Sequence, residues 1–294
     1  MDEEPGIDFL TPHSSFLSSL TIQATEKENS ALTPCVPRIV CYHKIDRRRE
    51  LGVTRLSPRR FARQIERLAA DGWRTLTMDE VASCARGDRV AAPNEIAITF
   101  DDAYRALREY AFPVLHAHHF TATCFVITGY AGRLNRWDVA YGGRRFAHLA
   151  WRDMRRWQGR GITFASHTVT HPRLTWLDDA RVGAELRQSR EELMQALDAA
   201  PRALSYPFGA CGSRERALAR DAGYDIGFTL NAAWTGNAMA VPRLPVYMWS
   251  PVTPGTGPLR GVERIAATIA NRASVGTALW RGAVAGLSQY RNEP

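Results

Sequence analysis

The run Glu95-Ile-Ala-Ile-Thr-Phe100 stops at two adjacent carboxylates, Asp101 and Asp102. A stretch of β-formers ending in this way reads as a strand that carries both acids at its C-terminal end, where α/β folds gather their active sites. A second segment has the same design. Gly161-Ile-Thr-Phe-Ala165 reads as a strand, and Ser166-His167-Thr-Val-Thr-His171 leaves it with two imidazoles on one turn, close enough to grip a single ion. One carboxylate and two neutral imidazoles give a divalent ion three protein ligands and leave positions open for water and substrate, as in a catalytic site. Neighbouring residues of an extended segment point in different directions, so one Asp binds the ion while the other accepts a proton from the attacking water. We expect Asp102, His167 and His171 as the metal ligands and Asp101 as the base.

Further strand-like runs at Arg38–His43, Thr121–Ile127, Ala203–Tyr206, Ile226–Thr229 and Arg243–Val246 alternate with helical patterns. That alternation predicts an α/β chain with a mainly parallel sheet. The helix over Ser57 to Asp71 illustrates the signals: Ser57 caps it, Pro58 suits its first turn, Phe61, Ile65 and Leu68 recur on one face, and Gly72 stops it. A second helix is expected from Ala103 to His118, and a third from Ala180 to Leu197, capped by Asp178-Asp179. With 294 residues, 45% of them hydrophobic, the chain is long enough to bury a full core.

Thr99-Phe100-Asp101-Asp102 and Ser166-His167-Thr168-Val169-Thr170-His171 resemble the first two motifs of the polysaccharide deacetylases, the carbohydrate esterases that share the NodB homology domain. Arg38 to His43, the helix from Ser57, Gly72-Trp73-Arg74, Tyr206-Pro207-Phe208-Gly209 and Val241-Pro242-Arg243-Leu244-Pro245-Val246 follow in that family's order. The resemblance implies a distorted (β/α) barrel of seven or eight parallel strands. It also implies a divalent metal, zinc first with cobalt, nickel or iron as alternatives, and removal of acetyl groups from sugars.

Two departures assign further residues. Many members carry a catalytic histidine near the C-terminus, but no histidine follows His171 here. A subgroup similar to the poly-N-acetylglucosamine deacetylases opens instead with a Tyr-His segment like Tyr42-His43, which makes His43 the expected general acid. Many relatives also hold an arginine where Ser205 stands, paired with the base. Arg243 is the expected substitute, because a cation near Asp101 would keep that carboxylate ionised and oriented. In similar enzymes a backbone amide of the third motif completes the oxyanion site, here assigned to Tyr206.

Other features read as structural or peripheral. His116, His118 and His119 end a helix, where cations suit the dipole. Trp137, Tyr141, Trp234, Tyr247 and Trp249 lie in loop-like segments near strand ends and are candidates for stacking on sugar faces. Five scattered cysteines, Cys35, Cys41, Cys84, Cys124 and Cys211, form no CxxC pair and suit reduced thiols. The net charge of +8 comes almost wholly from arginines spread along the chain, which makes no case for nucleic acid.

Residues 1–36 read as a flexible arm without the basic start and apolar core of a signal peptide, 37–257 as the catalytic domain, and 258–294 as a C-terminal helical extension able to touch a membrane surface. No apolar run is long enough to span a membrane. The resulting expectation is a cytoplasmic, metal-dependent N-deacetylase of an N-acetylated sugar, oligosaccharide or glycan precursor. An O-deacetylase or small cyclic-amide hydrolase on the same barrel, and an idle glycan-binding module, are the rival readings.

Overall fold

A computed structural model of the chain describes residues 36–48, 53–137, 145–230 and 233–250. The C-terminal extension, Tyr141 and Cys35 lie outside the described residues, as does all but the last residue of the N-terminal arm.

Seven parallel strands close into a ring: β1 (Arg38–Tyr42), β5 (Glu95–Phe100), β6 (Ala122–Val126), β7 (Ile162–Ser166), β8 (Ala203–Ser205), β9 (Ile226–Leu230) and β10 (Val241–Pro245). Each pairs with the next, and β1 closes the circle by pairing with both β10 and β5. The barrel expected from the resemblance is therefore present, with its distortion beside β5. There the two-residue β4 (Arg74–Thr75) pairs with the start of β5, while β6 meets only its end, Thr99 opposite Thr123 and Phe100 opposite Cys124. A separate two-stranded ribbon joins β2 (Lys44–Ile45) to β3 (Arg55–Leu56).

Helices cover the outer face. Ile96, Ile98 and Phe100 of β5 and Val40 and Tyr42 of β1 pack on Phe61, Ile65 and Leu68 of α1 (Pro58–Ala70), and on Leu107 of α3 (Leu107–Tyr110) and Phe112 and Leu115 of α4 (Phe112–Ala117). The alternate residues face the lumen, because successive side chains of a strand point to opposite sides. Ile39, Ala97, Phe125, Ala165, Ala203, Phe228 and Val241 form that inner cluster, joined by Val81, Ala82 and Ala85 of α2 (Met78–Arg86).

Two expected helices differ in detail. Ser57 occupies the N-cap position of α1, but its hydroxyl makes no capping bond. The helix expected over residues 103–118 is replaced by a left-handed turn at Asp102 and Ala103 and by two short helices, with Pro113 in the first turn of the second. Proline is tolerated there and would break the interior of a longer helix. The remaining α-helices among the described residues are α5 (Trp151–Gln158), α6 (Asp179–Leu197), whose N-cap Asp178 accepts from Arg181 N, and α7 (Ser213–Asp221).

The lumen also holds an ion pair. Arg243 of β10 is 1% exposed and Asp101, just past β5, is 2% exposed. Its Nη1 and Nη2 each donate to one carboxylate oxygen at 2.7 Å. The same guanidinium donates to Ser205 Oγ at 2.7 Å and Thr99 Oγ1 at 3.2 Å, and lies over the rings of Phe125 and Phe228. One side chain thus ties β5, β8 and β10 together inside the barrel. Removing one partner of a buried pair strands the other charge, which costs about 3–5 kcal/mol. Arg243→Met is expected to lose that much stability in chemical denaturation at neutral pH. Because Asp101 has a depressed folded-state pKa, the pair's contribution is present above the ~3.9 of an unfolded Asp and fades as pH falls further. The stability gap between parent and variant should therefore be largest at neutral pH and narrow as pH falls, first as the stranded Asp101 of the variant, raised by burial, takes up a proton, and then below about pH 4 as the parent loses the pair.

Candidate metal and catalytic site

The strand periodicity that fills the lumen also loads its C-terminal mouth. Counting in steps of two from the inner cluster, Ala97 leads to Thr99 and Asp101, Ile39 to Cys41 and His43, Ala165 to His167, Ala203 to Ser205, and Val241 to Arg243. Asp102 is out of step. It reaches the site through a left-handed turn, with φ of 68° at Asp102 and 51° at Ala103.

Asp102, His167 and His171 converge, with ligating atoms all within 4.8 Å of one another. Asp102 Oδ1 stands 3.6 Å from His167 Nε2 and 3.7 Å from His171 Nε2. These separations exceed hydrogen-bond length yet suit common ligation, since two atoms about 2.0–2.2 Å from one zinc ion at tetrahedral angles lie roughly 3.3 Å apart. His167 Nδ1 bonds the Ser205 carbonyl at 2.7 Å, which makes Nδ1 the protonated nitrogen and turns the Nε2 lone pair toward the carboxylates. The donor set therefore fits a divalent cation, and the three residues form a potential metal site.

The loop between the histidines is held from beneath. Glu185 of α6 accepts from Val169 N at 2.8 Å, Thr170 N at 2.9 Å and Thr170 Oγ1 at 2.6 Å. Thr168 Oγ1 accepts from His171 N at 3.0 Å. These bonds support φ values of 66° at Thr168 and 60° at His171, conformations that non-glycine residues adopt only under local constraint.

Electrostatics separate the titrating groups. Burial alone would raise the Asp101 carboxyl, but the charges of Arg243 and His167 and the bonds from Arg243 outweigh it and hold the group well below the usual carboxylate range. Ser205 Oγ donates to the same carboxylate at 3.2 Å. Burial also lowers His167, opposed chiefly by Asp101. His43 follows β1, and its ring lies close enough to Asp101 and Cys41 for their polar atoms to fall within 4.8 Å of one another. Its Nδ1 is buried with no hydrogen-bond partner, and burial lowers its pKa to about 4 despite the attraction of Asp101. The ring is neutral at neutral pH.

Tyr206 is the expected site residue that the structure places elsewhere. Its N–H donates to the Phe228 carbonyl at 3.1 Å, within the ladder joining β8 and β9, and is not offered to a ligand. Its side chain is out of step with Ser205 and packs outside the barrel with Leu204, Tyr224 and Met239. The neighbouring Phe208 adopts φ of 61° and sets its ring 4.8 Å from that of His171. Trp137 is buried, 4.1 Å from the His171 ring, and Tyr247 stacks on Trp249 at 5.1 Å. Trp234 packs partly buried against the inner cluster. His148 and Glu185 were not singled out from the sequence. Each acts on the backbone of a segment far along the chain, which leaves no spacing signature.

Comparisons with known proteins agree with this geometry. Residues 88–227 match the family model described as Polysaccharide deacetylase. YxkH of Bacillus subtilis (strain 168), named for the polysaccharide deacetylases, is 26% identical over 215 residues, covering 72% of each chain. The poly-beta-1,6-N-acetyl-D-glucosamine N-deacetylase of Staphylococcus aureus (strain MRSA252) is 22% identical over 237 residues, covering 74% of this chain and 79% of that one. Among solved structures, the Streptococcus pyogenes deacetylase PplD in complex with acetate superposes with a TM-score of 0.66 at 24% identity, over 75% of this chain and 96% of that one. IcaB from Ammonifex degensii superposes with a TM-score of 0.64 at 22% identity, over 80% and 96%. The barrel, the motif residues at its mouth and the matched sequence agree, and residues 88–227 match the polysaccharide deacetylase family model.

Proposed function

We propose that this protein is a metal-dependent hydrolase that removes N-acetyl groups from an N-acetylated sugar, oligosaccharide or glycan precursor. The observation that carries this reading is the meeting of Asp102, His167 and His171 beside a carboxylate, Asp101, that Arg243 keeps ionised and immobile. A binding module has no use for a buried acceptor beside a set of metal donors. Zinc is the favoured ion for one carboxylate and two imidazoles.

A divalent cation held by these three residues supplies, when bound, a water of lowered pKa and polarisation of the acyl oxygen. Asp101 is the acceptor for the proton of the attacking water, and its clamp by Arg243 and Ser205 fixes the direction from which that proton is taken. His43, neutral at rest, receives the proton that Asp101 has taken from the water and delivers it to the departing nitrogen, which returns both groups to their resting states. An imidazole whose pKa is held near 4 is a strong acid once charged. With the Tyr206 amide committed to the ladder, the Phe208 amide, on a left-handed turn beside His171, is the oxyanion donor in this account. The four cysteines among the described residues are free thiols, which supports a reducing, cytoplasmic setting. No helix among the described residues is long and apolar enough to cross a membrane.

Three outcomes test the roles. Asp101→Asn should bind zinc as the parent does and lose turnover by at least about a hundredfold, whereas Asp102→Ala and His167→Ala should lose zinc as well; zinc content and acetate release read the two effects. Equal zinc loss in all three variants would overturn the split of the two carboxylates. His43→Ala should depress hydrolysis of an N-acetyl substrate far more than that of an aryl acetate, whose leaving group needs no proton. Equal effects on both would remove His43 from the mechanism. Because His167 is held below its ordinary value, zinc should remain bound as pH falls past ~6.5, where an ordinary His is half protonated. Zinc content after gel filtration at stepped pH measures this.

A further inference from the structure

Behind Asp102 the ring of His148 is buried, and its Nδ1 lies 2.5 Å from the Asp102 carbonyl oxygen. On its other edge, Nε2 accepts a hydrogen bond from Trp137 Nε1 at 3.2 Å. An indole nitrogen can only donate, so Nε2 carries the lone pair and Nδ1 carries the hydrogen that Asp102 receives. Tyr104 stacks on the imidazole at 5.0 Å, which fixes the plane of the ring.

The backbone around His148 is equally constrained. Leu149 N donates to Ala103 O at 2.8 Å, Arg105 N to Ala147 O at 2.7 Å, and His148 N to Arg133 O at 2.9 Å. Residues 147–149 therefore clamp the Asp102–Ala103 turn and the chain just beyond it at Arg105; the turn's two consecutive left-handed residues swing Asp102 into the site. The same indole that orients His148 lies 4.1 Å from the ring of His171. One small network thus touches the backbone of one candidate ligand and the side chain of another.

We propose that His148 is a positioning residue for the metal site: through its Nδ1 hydrogen it holds the Asp102 carbonyl, and with it the left-handed turn that aims the Asp102 carboxylate at His167 and His171. This inference rests on the metal-site reading and adds a residue that touches neither metal nor substrate. Donors of this kind typically contribute ten- to a hundredfold to metal affinity.

The test is cobalt binding to the full-length protein, followed by its visible absorption, in parent, His148→Ala, His148→Asn, His148→Gln and Trp137→Phe. An Asn amide nitrogen overlies the imidazole Nδ1, whereas a Gln amide nitrogen overlies Nε2, so the pair separates the donor from the bulk of the side chain. His148→Ala and His148→Gln should weaken cobalt binding by about ten- to a hundredfold and alter the cobalt spectrum. His148→Asn should stay within a few-fold of the parent, and Trp137→Phe should fall between. Unfolding by circular dichroism identifies any variant weakened only by loss of fold. Parental cobalt binding in His148→Ala, or equal weakening in the Asn and Gln variants, would overturn the inference while leaving the metal site standing. Failure of the parent itself to bind cobalt would overturn the metal reading and the inference together.

Discussion

The buried pair between Arg243 and Asp101 is the interaction on which the rest of this barrel depends. Both groups have left water, and desolvation of that kind is offset only when geometry is good and the remaining hydrogen-bonding capacity is used. Here the contact is two-pronged, and the guanidinium also reaches Ser205, Thr99 and the faces of Phe125 and Phe228. An arginine in the lumen lets a carboxylate remain charged where an isolated one would be driven toward its neutral form. That charge also opposes the desolvation of His43 and His167. The electrostatic order of the mouth therefore follows from one cation placed below it.

Placing that cation and its partners requires little beyond the two-residue repeat of parallel strands. Thr99, Asp101, His167, Ser205, Arg243 and His43 share the inward phase of their strands, and Arg243, level with Ile39, reaches Asp101 from below the mouth. This is why so much was legible in the sequence. The apolar runs that mark the seven barrel strands cannot be mistaken for surface segments, and residues just beyond a strand end inherit its phase. Arg243 was readable as the partner of Asp101 because Ser205 stands where relatives hold an arginine, leaving a buried carboxylate in need of a cation.

What was not legible lies off that lattice. Tyr206 was assigned an oxyanion amide although its residue falls in the ladder, and only pairing with Phe228 reveals that its N–H is already committed. The helix expected after Asp102 yields to a left-handed turn, for which Asp-Ala carries no glycine signal. Five of the seven non-glycine residues with positive φ among those described, Asp102, Ala103, Thr168, His171 and Phe208, belong to the loops around the site. Such conformations persist only when the surroundings over-determine them. Glu185 does so for the histidine loop and residues 147–149 for the Asp102 turn, by bonds to backbone atoms that no side-chain pattern announces.

The most direct measurement is acetate release from short N-acetylglucosamine oligomers by the purified protein, before and after chelation and again after zinc is restored. The account predicts release that chelator abolishes and zinc returns. Release indifferent to chelator would contradict it, as would its absence on N-acetyl sugars from a zinc-loaded protein that hydrolyses other acyl substrates.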